Sequence, residues 1–302
     1  MSQLSGHSGN ADFESLFFTS SDGLKLHVRH YHAVESSDES LPVICLHGLA
    51  RNSTDFETLA RTLSQHNINS RNVIVPDYRG RGRSDYAPDW RSYTLKAELD
   101  DLLLILQEMA IKRAIFIGTS RGGLLTMALS HLHPEIIAGA VLNDIGPIME
   151  IEGLNRIRSY VGKLDVPHDE DHAVALAKHT FGRHFTAFND DDWRAYVRGT
   201  WHQHNRQLVL SYDPNLMKPF ESIDHDKLAE PIWPMFDGLK SIPVMIIRGA
   251  LSDLLSEQTL RAMLDHHPNA KAITVEGQGH APLLRDSYTL QAIADFCSNI
   301  AP

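Results

Sequence analysis

Cysteine is nearly absent from this sequence of 302 residues, with Cys45 and Cys297 the only two. Two cysteines cannot build a disulfide framework, and both stand in apolar segments, so they read as buried thiols in a reducing compartment. A cytoplasmic location is the expectation. Also lacking is any apolar run near the roughly 18 residues that a membrane span needs. The first 12 residues are polar and rich in Ser and Gly, with neither a basic start nor an apolar stretch, and are not expected to be a signal peptide. Basic charge is short as well. Lys and Arg total 28 against 38 for Asp and Glu, a formal charge of -10. Such a surface repels phosphate backbones and anionic lipid, which disfavours nucleic acid and membrane partners.

What is present suits a large packed core, since 42% of the residues are hydrophobic. Strand and helix patterns alternate through the first half. Residues 24–31 alternate apolar and polar positions as a half-exposed strand does. Short apolar runs at 42–46, 73–75, 114–117 and 137–142 read as buried strands. Between them, 53–64, 95–109 and 122–131 carry helical spacing. The pattern resumes with a strand at 243–247, a helix at 257–264, a strand at 272–275 and a helix at 290–298. This order predicts an α/β fold, a mostly parallel central sheet with helices on both faces.

Residues 148–236 interrupt it. They show no good buried strand, three helix-like stretches (154–164, 171–181, 191–201) and scattered aromatics including Trp193, Trp201 and Trp233. The predicted organisation is therefore a core in two parts, 1–147 and 237–302, with 148–236 as a helical cap over the sheet's active edge.

Gly118-Thr119-Ser120-Arg121-Gly122 follows a predicted strand and opens a predicted helix. It fits the G-x-S-x-G elbow, a sharp turn that raises the serine at its apex and lets glycines remove colliding side chains. A serine hydroxyl needs a base. His280, in Gly277-Gln278-Gly279-His280 after the last strand, is the candidate. Two acids compete to orient it. Asp253 leaves strand 243–247 and is preferred; Asp144, after strand 137–142, is the rival, with a turn role as its alternative. Ser120, Asp253 and His280 would then be the catalytic residues. The oxyanion formed in such chemistry needs two N–H donors. The backbone N–H groups of Leu49 and Arg121 are the candidates, with His47 bracing the loop.

Leu46-His47-Gly48, the run 77–85 (Asp77-Tyr78-Arg79-Gly80-Arg81-Gly82-Arg83-Ser84-Asp85), the elbow at Ser120 and Gly279-His280 occur in order and in register. Together they resemble the capped α/β-hydrolase superfamily of carboxylesterases, enol-lactonases and carbon–carbon bond hydrolases. The resemblance implies a serine acyl-transfer mechanism with no cofactor and no metal. Serine at the elbow separates the chain from the haloalkane dehalogenase and epoxide hydrolase branches, which use aspartate there. Leu49-Ala50-Arg51-Asn52 differs from the Gly/Pro-rich loop of the carbon–carbon bond hydrolases.

Other signals have simpler explanations. Gly80-Arg81-Gly82 lacks the rest of a dinucleotide fingerprint. The acidic and histidine-rich run 168–172 reads as the first turn of a helix rather than a metal site. Arg79, Arg81 and Arg83 are expected to pair with carboxylates such as Asp77 and Asp85. The expected function is a hydrolase of a small or medium carboxylic ester, lactone or thioester. The alternatives are a hydrolase of vinylogous diketones and a non-catalytic ligand receptor on the same scaffold.

Overall fold

The computed structural model describes residues 12–35, 40–66, 69–220 and 230–301. The polar stretch read as lacking a signal peptide lies almost wholly outside these residues, as does part of the predicted cap. Eight strands form one sheet: β1 (Glu14–Thr19), β2 (Lys25–Tyr31), β3 (Val43–Leu46), β4 (Val73–Pro76), β5 (Ala114–Thr119), β6 (Ile137–Asn143), β9 (Val244–Gly249) and β10 (Ala270–Val275). Their spatial order is β1-β2-β4-β3-β5-β6-β9-β10. The six strands from β4 to β10 run parallel, and β2 is antiparallel to both of its neighbours.

The central strands are buried on both faces, which is why their sequences are continuous apolar runs. Period-two alternation still sorts them. Ile44, Leu46, Ala114 and Phe116 face one layer, with α2 (Leu95–Glu108), α3 (Arg121–Leu132), α7 (Trp233–Asp237) and α8 (Glu257–His266). Val43, Cys45, Ile115 and Ile117 face the other, with α1 (Glu57–Ser64) and α9 (Ser287–Ser298). Cys45 and Cys297 are free, buried thiols in that second layer. Burial pushes both thiols up, that of Cys297 to about 12.

The segment between β6 and β9 adds no strand to this sheet among the described residues. It holds α4 (Ile151–Tyr160), α5 (Glu170–Phe181) and α6 (Asp190–Thr200), followed by a hairpin of β7 (Trp201–His204) and β8 (Gln207–Leu210). The hairpin departs from the all-helical expectation. Its strands are four residues each, β7 exposes all but Trp201 and β8 is only partly buried, so they are too short and too little buried to read as strands in the sequence. Phe181, Phe185, Trp193, Val197 and Trp201 form a small core of the segment's own.

Candidate functional site

The sharp turn after β5 is built from close backbone contacts. A Cβ on Gly118 would stand 2.5 Å from the backbone of Gly122, and one on Gly122 would collide with the carbonyl of Leu46. Ser120 takes φ 50° and ψ -109° at the apex, a conformation that side chains rarely adopt and that costs of order 1–3 kcal/mol. The Ser120 N–H donates to Asn143 O at 3.0 Å, and the Asn143 amide donates to Thr119 Oγ1 at 3.0 Å and Pro282 O at 2.9 Å. Asn143, fully buried, thus ties the elbow to the loop that bears His280. Nothing in its sequence setting marks it.

Ser120 Oγ donates to His280 Nε2 at 2.8 Å. On the far side of the ring, His280 Nδ1 donates to Asp144 Oδ2 at 2.8 Å. Asp144 is buried, and it also accepts from Gly249 N at 2.8 Å and Ser252 Oγ at 2.6 Å. The structure therefore corrects the preference for Asp253 as the partner of His280. The turn after β9 curls so that Gly249 and Ser252 face Asp144, while Asp253 points toward α4. There Arg156 Nε and Nη2 donate to its two carboxylate oxygens, the latter at 2.8 Å. Burial alone would raise the Asp253 carboxyl, but the Arg156 guanidinium holds it below the usual carboxylate range.

The loop after β3 carries Leu49. His47 is buried, and burial lowers its pKa to about 4, so the ring is neutral near pH 7. Its Nδ1 donates to Gly48 O at 2.8 Å and its Nε2 accepts from Tyr78 N at 3.2 Å. Both contacts fix one tautomer and brace the loop. Arg121 opens α3 and turns its side chain away from the serine, donating from Nε to Glu98 Oε2 at 2.7 Å. Neither the Leu49 nor the Arg121 N–H has a protein acceptor among the described residues.

A cavity of about 80 Å³ opens on Ser120 and His280. Leu49, Ala50 and Pro282 line it from the core side, and Ile157, Tyr160, Val161, Leu164 and Tyr196 from the segment between β6 and β9. Arg51 lines it too, with its charge matched by Asp55 at 2.6 Å. The same guanidinium donates to Thr200 Oγ1 and Tyr196 O, and Asn52 Nδ2 donates to Gly199 O at 2.9 Å. These contacts fasten the loop after Leu49 to α6.

In the basic cluster at 79–83 two arginines pair with carboxylates as expected, though not with Asp77 or Asp85, and Arg83 Nη1 donates to Ser15 Oγ at 3.0 Å. Arg79 pairs with Asp22 and Asp101, and Arg81 with Glu98. Asp77 instead meets His27 Nδ1 at 2.7 Å and the backbone N–H groups of Ser53 and Arg83. Those contacts overcome its burial and hold its carboxyl at about 2. Among the described residues, one group could offer three metal ligands, Glu14, His30 and His32. It lies on the outer β1–β2 hairpin, three to four strand positions from β5 and apart from Ser120. No described helix is long and apolar enough to cross a membrane.

The sequence model of the family described as alpha/beta hydrolase fold matches residues 42–286. A 3-hydroxybutyrate-oligomer hydrolase of Cupriavidus necator is 29% identical over 273 residues, covering 86% of this chain and 89% of the relative. Esterase YbfF of Escherichia coli is 27% identical, covering 85% and 92%. The crystal structure of an alpha/beta hydrolase from Novosphingobium aromaticivorans is 37% identical, with a TM-score of 0.89 over 96% of this chain and 99% of that one.

Proposed function

The chain belongs to the α/β-hydrolase family, and from that premise we propose that it is a serine hydrolase cleaving small carboxylic esters through an acyl-enzyme. One observation carries the reading: the unbroken relay from Ser120 Oγ through His280 to Asp144, 2.8 Å at each step, beside a cavity that Ser120 and His280 line. Ser120 Oγ attacks the ester carbonyl while His280 Nε2 takes its proton. Asp144 stays ionised and stabilises the imidazolium. The carbonyl oxygen, now an oxyanion, accepts from the N–H groups of Leu49 and Arg121. The tetrahedral adduct collapses, His280 gives its proton to the leaving alcohol oxygen, and the acyl group remains on Ser120. Water then attacks the acyl carbon, giving one proton to His280. Collapse of the second adduct releases the acid and returns that proton to Ser120.

The part of residues 148–236 from α4 to β8 serves as the cap in this reading, supplying apolar walls and excluding water, whereas α7 at the end of the predicted cap packs in the sheet's own helix layer. The support is the cavity lining drawn from α4 and α6. A cavity of about 80 Å³ is far below the ~300–1,000 Å³ of pockets for drug-sized ligands, which favours a short acyl group. The relative that acts on 3-hydroxybutyrate oligomers makes short hydroxyacyl esters the first class to test, with lactones and thioesters within reach of the same chemistry. A cytoplasmic location completes the reading, supported by the two free thiols.

The test is a panel of nitrophenyl esters of rising acyl length, run beside a 3-hydroxybutyrate dimer, a lactone, a thioester and a vinylogous diketone. The expected result is the highest kcat/KM on short acyl esters or the dimer, with the diketone inert. Diketone cleavage with inert esters would reassign the chain to carbon–carbon bond hydrolysis.

A further inference from the structure

Glu98, in the first turn of α2, is 1% exposed and stands between two arginines. Its Oε2 accepts from Arg121 Nε at 2.7 Å, and its Oε1 lies 2.9 Å from Arg81 Nη2. Burial alone would raise this carboxyl; the two guanidiniums hold it below the usual range. Arg81 is fully buried. Its Nε donates to Leu49 O at 2.8 Å and its Nη1 to Arg79 O at 2.7 Å. Taking three charges out of water is expensive, and their mutual attraction often fails to repay the cost against an apolar core. The cluster therefore calls for a reason beyond stability.

Its reach supplies one. Arg81 grips the carbonyl of Leu49, and the side chain of Arg121 anchors the residue directly after the nucleophile. These are the two residues whose N–H groups face the oxyanion in the proposed mechanism. We infer that Glu98 is a positioning residue for the oxyanion hole, setting the Leu49 loop through Arg81 and the leading turn of α3 through Arg121. The inference rests on the serine-hydrolase reading. His47 completes the grip by holding Gly48 O. In a trans peptide the N–H points opposite to its carbonyl, so that bond directs the Leu49 N–H away from His47. Two consecutive carbonyls of the loop are thus held, and one carboxylate connects the loop to the elbow. Two guanidiniums and one carboxylate also leave one positive charge in a low-dielectric setting, which favours negative charge nearby.

An oxyanion exists only in the tetrahedral adduct, so loosening its donors lowers kcat and leaves KM nearly unchanged. The test compares Glu98→Gln and Arg81→Lys with the wild-type chain on a short nitrophenyl ester. Competent serines are titrated to completion with a fluorophosphonate, so that kcat is counted per active site. The expected result for Glu98→Gln is a loss of about 10–100-fold in kcat per site, with KM within about twofold. Affinity for a trifluoromethyl ketone, whose adduct carries the oxyanion, falls by a similar factor. A merely structural role would lower the titrated fraction and leave kcat per site intact, and that result overturns the inference. If Glu98→Gln does not fold, Arg81→Lys carries the test, since it keeps a cation for Glu98 and removes the Nε donor to Leu49. A wild-type chain with neither adduct nor ester turnover overturns the serine-hydrolase reading and this inference with it. A labelled, active wild type with unimpaired variants overturns this inference alone.

Discussion

At the scale of single residues, two aspartates at the same sheet edge do different work. Asp144 accepts from His280 Nδ1, the contact that would orient the ring in the proposed mechanism, and Asp253 accepts from Arg156. Asp144→Asn is predicted to lower kcat by about three to four orders of magnitude, as loss of the imidazole's orienter does. Asp253→Asn is predicted to cost less than about tenfold, because it removes an anchor of α4 and leaves the relay intact. Steady-state kinetics on one ester checks both, and reversed magnitudes would return the acid role to Asp253. The sequence made Ser120 and His280 legible because each sits in a glycine-flanked turn at a strand end. It favoured Asp253 over Asp144, although both candidates satisfy that rule, and the structure reverses the preference. The choice depends on the curl of residues 249–252 after β9, where Ser252 and Gly249 turn toward Asp144. Glu98 was invisible for another reason. A carboxylate in the first turn of an amphipathic helix reads as an ordinary dipole partner, and its contacts lie 17 and 23 residues away in the chain.

At the scale of elements, most strands and helices of the main sheet were legible because their periodicities differ. Thr94, Ser256 and Asp286 each accept a hydrogen bond at a helix start. β1 was missed; its six residues are only partly buried and pair at the edge of the sheet. The attachment of α4 was also hidden, because it needs Arg156 and Asp253, 97 residues apart, to meet. The Gly153 N–H donates to Asp253 O at 3.0 Å beside them. A double-mutant cycle with Arg156→Ala and Asp253→Ala, read by urea unfolding, is predicted to give a coupling energy of about 1–3 kcal/mol. A coupling near zero would mean that backbone contacts alone hold this helix to the turn after β9.

At the scale of the whole molecule, acid stability should report the buried groups behind the site. His47 titrates near 4 when folded, below the ordinary 6.5, because burial disfavours its charge. The unfolded chain therefore takes up that proton first. Stability is fully present above about pH 6.5 and falls as pH drops toward 4, by up to about 3 kcal/mol from this group. Asp77, held near 2 against an ordinary 3.8, adds a loss that begins only below 3.8. Urea unfolding is thus predicted to show a decline between pH 7 and 5 that His47→Gln reduces. An equal decline in that variant would assign the effect to other histidines.

The proposed mechanism stands on Ser120 as a nucleophile activated by His280. The most direct measurement is reaction of the full chain with a fluorophosphonate, followed by peptide mapping of the adduct. The predicted result is one phosphonyl group on Ser120, abolished in Ser120→Ala and strongly slowed in His280→Ala. Failure of the folded wild-type chain to form an adduct, or an adduct on another residue that persists in Ser120→Ala, would contradict the claim.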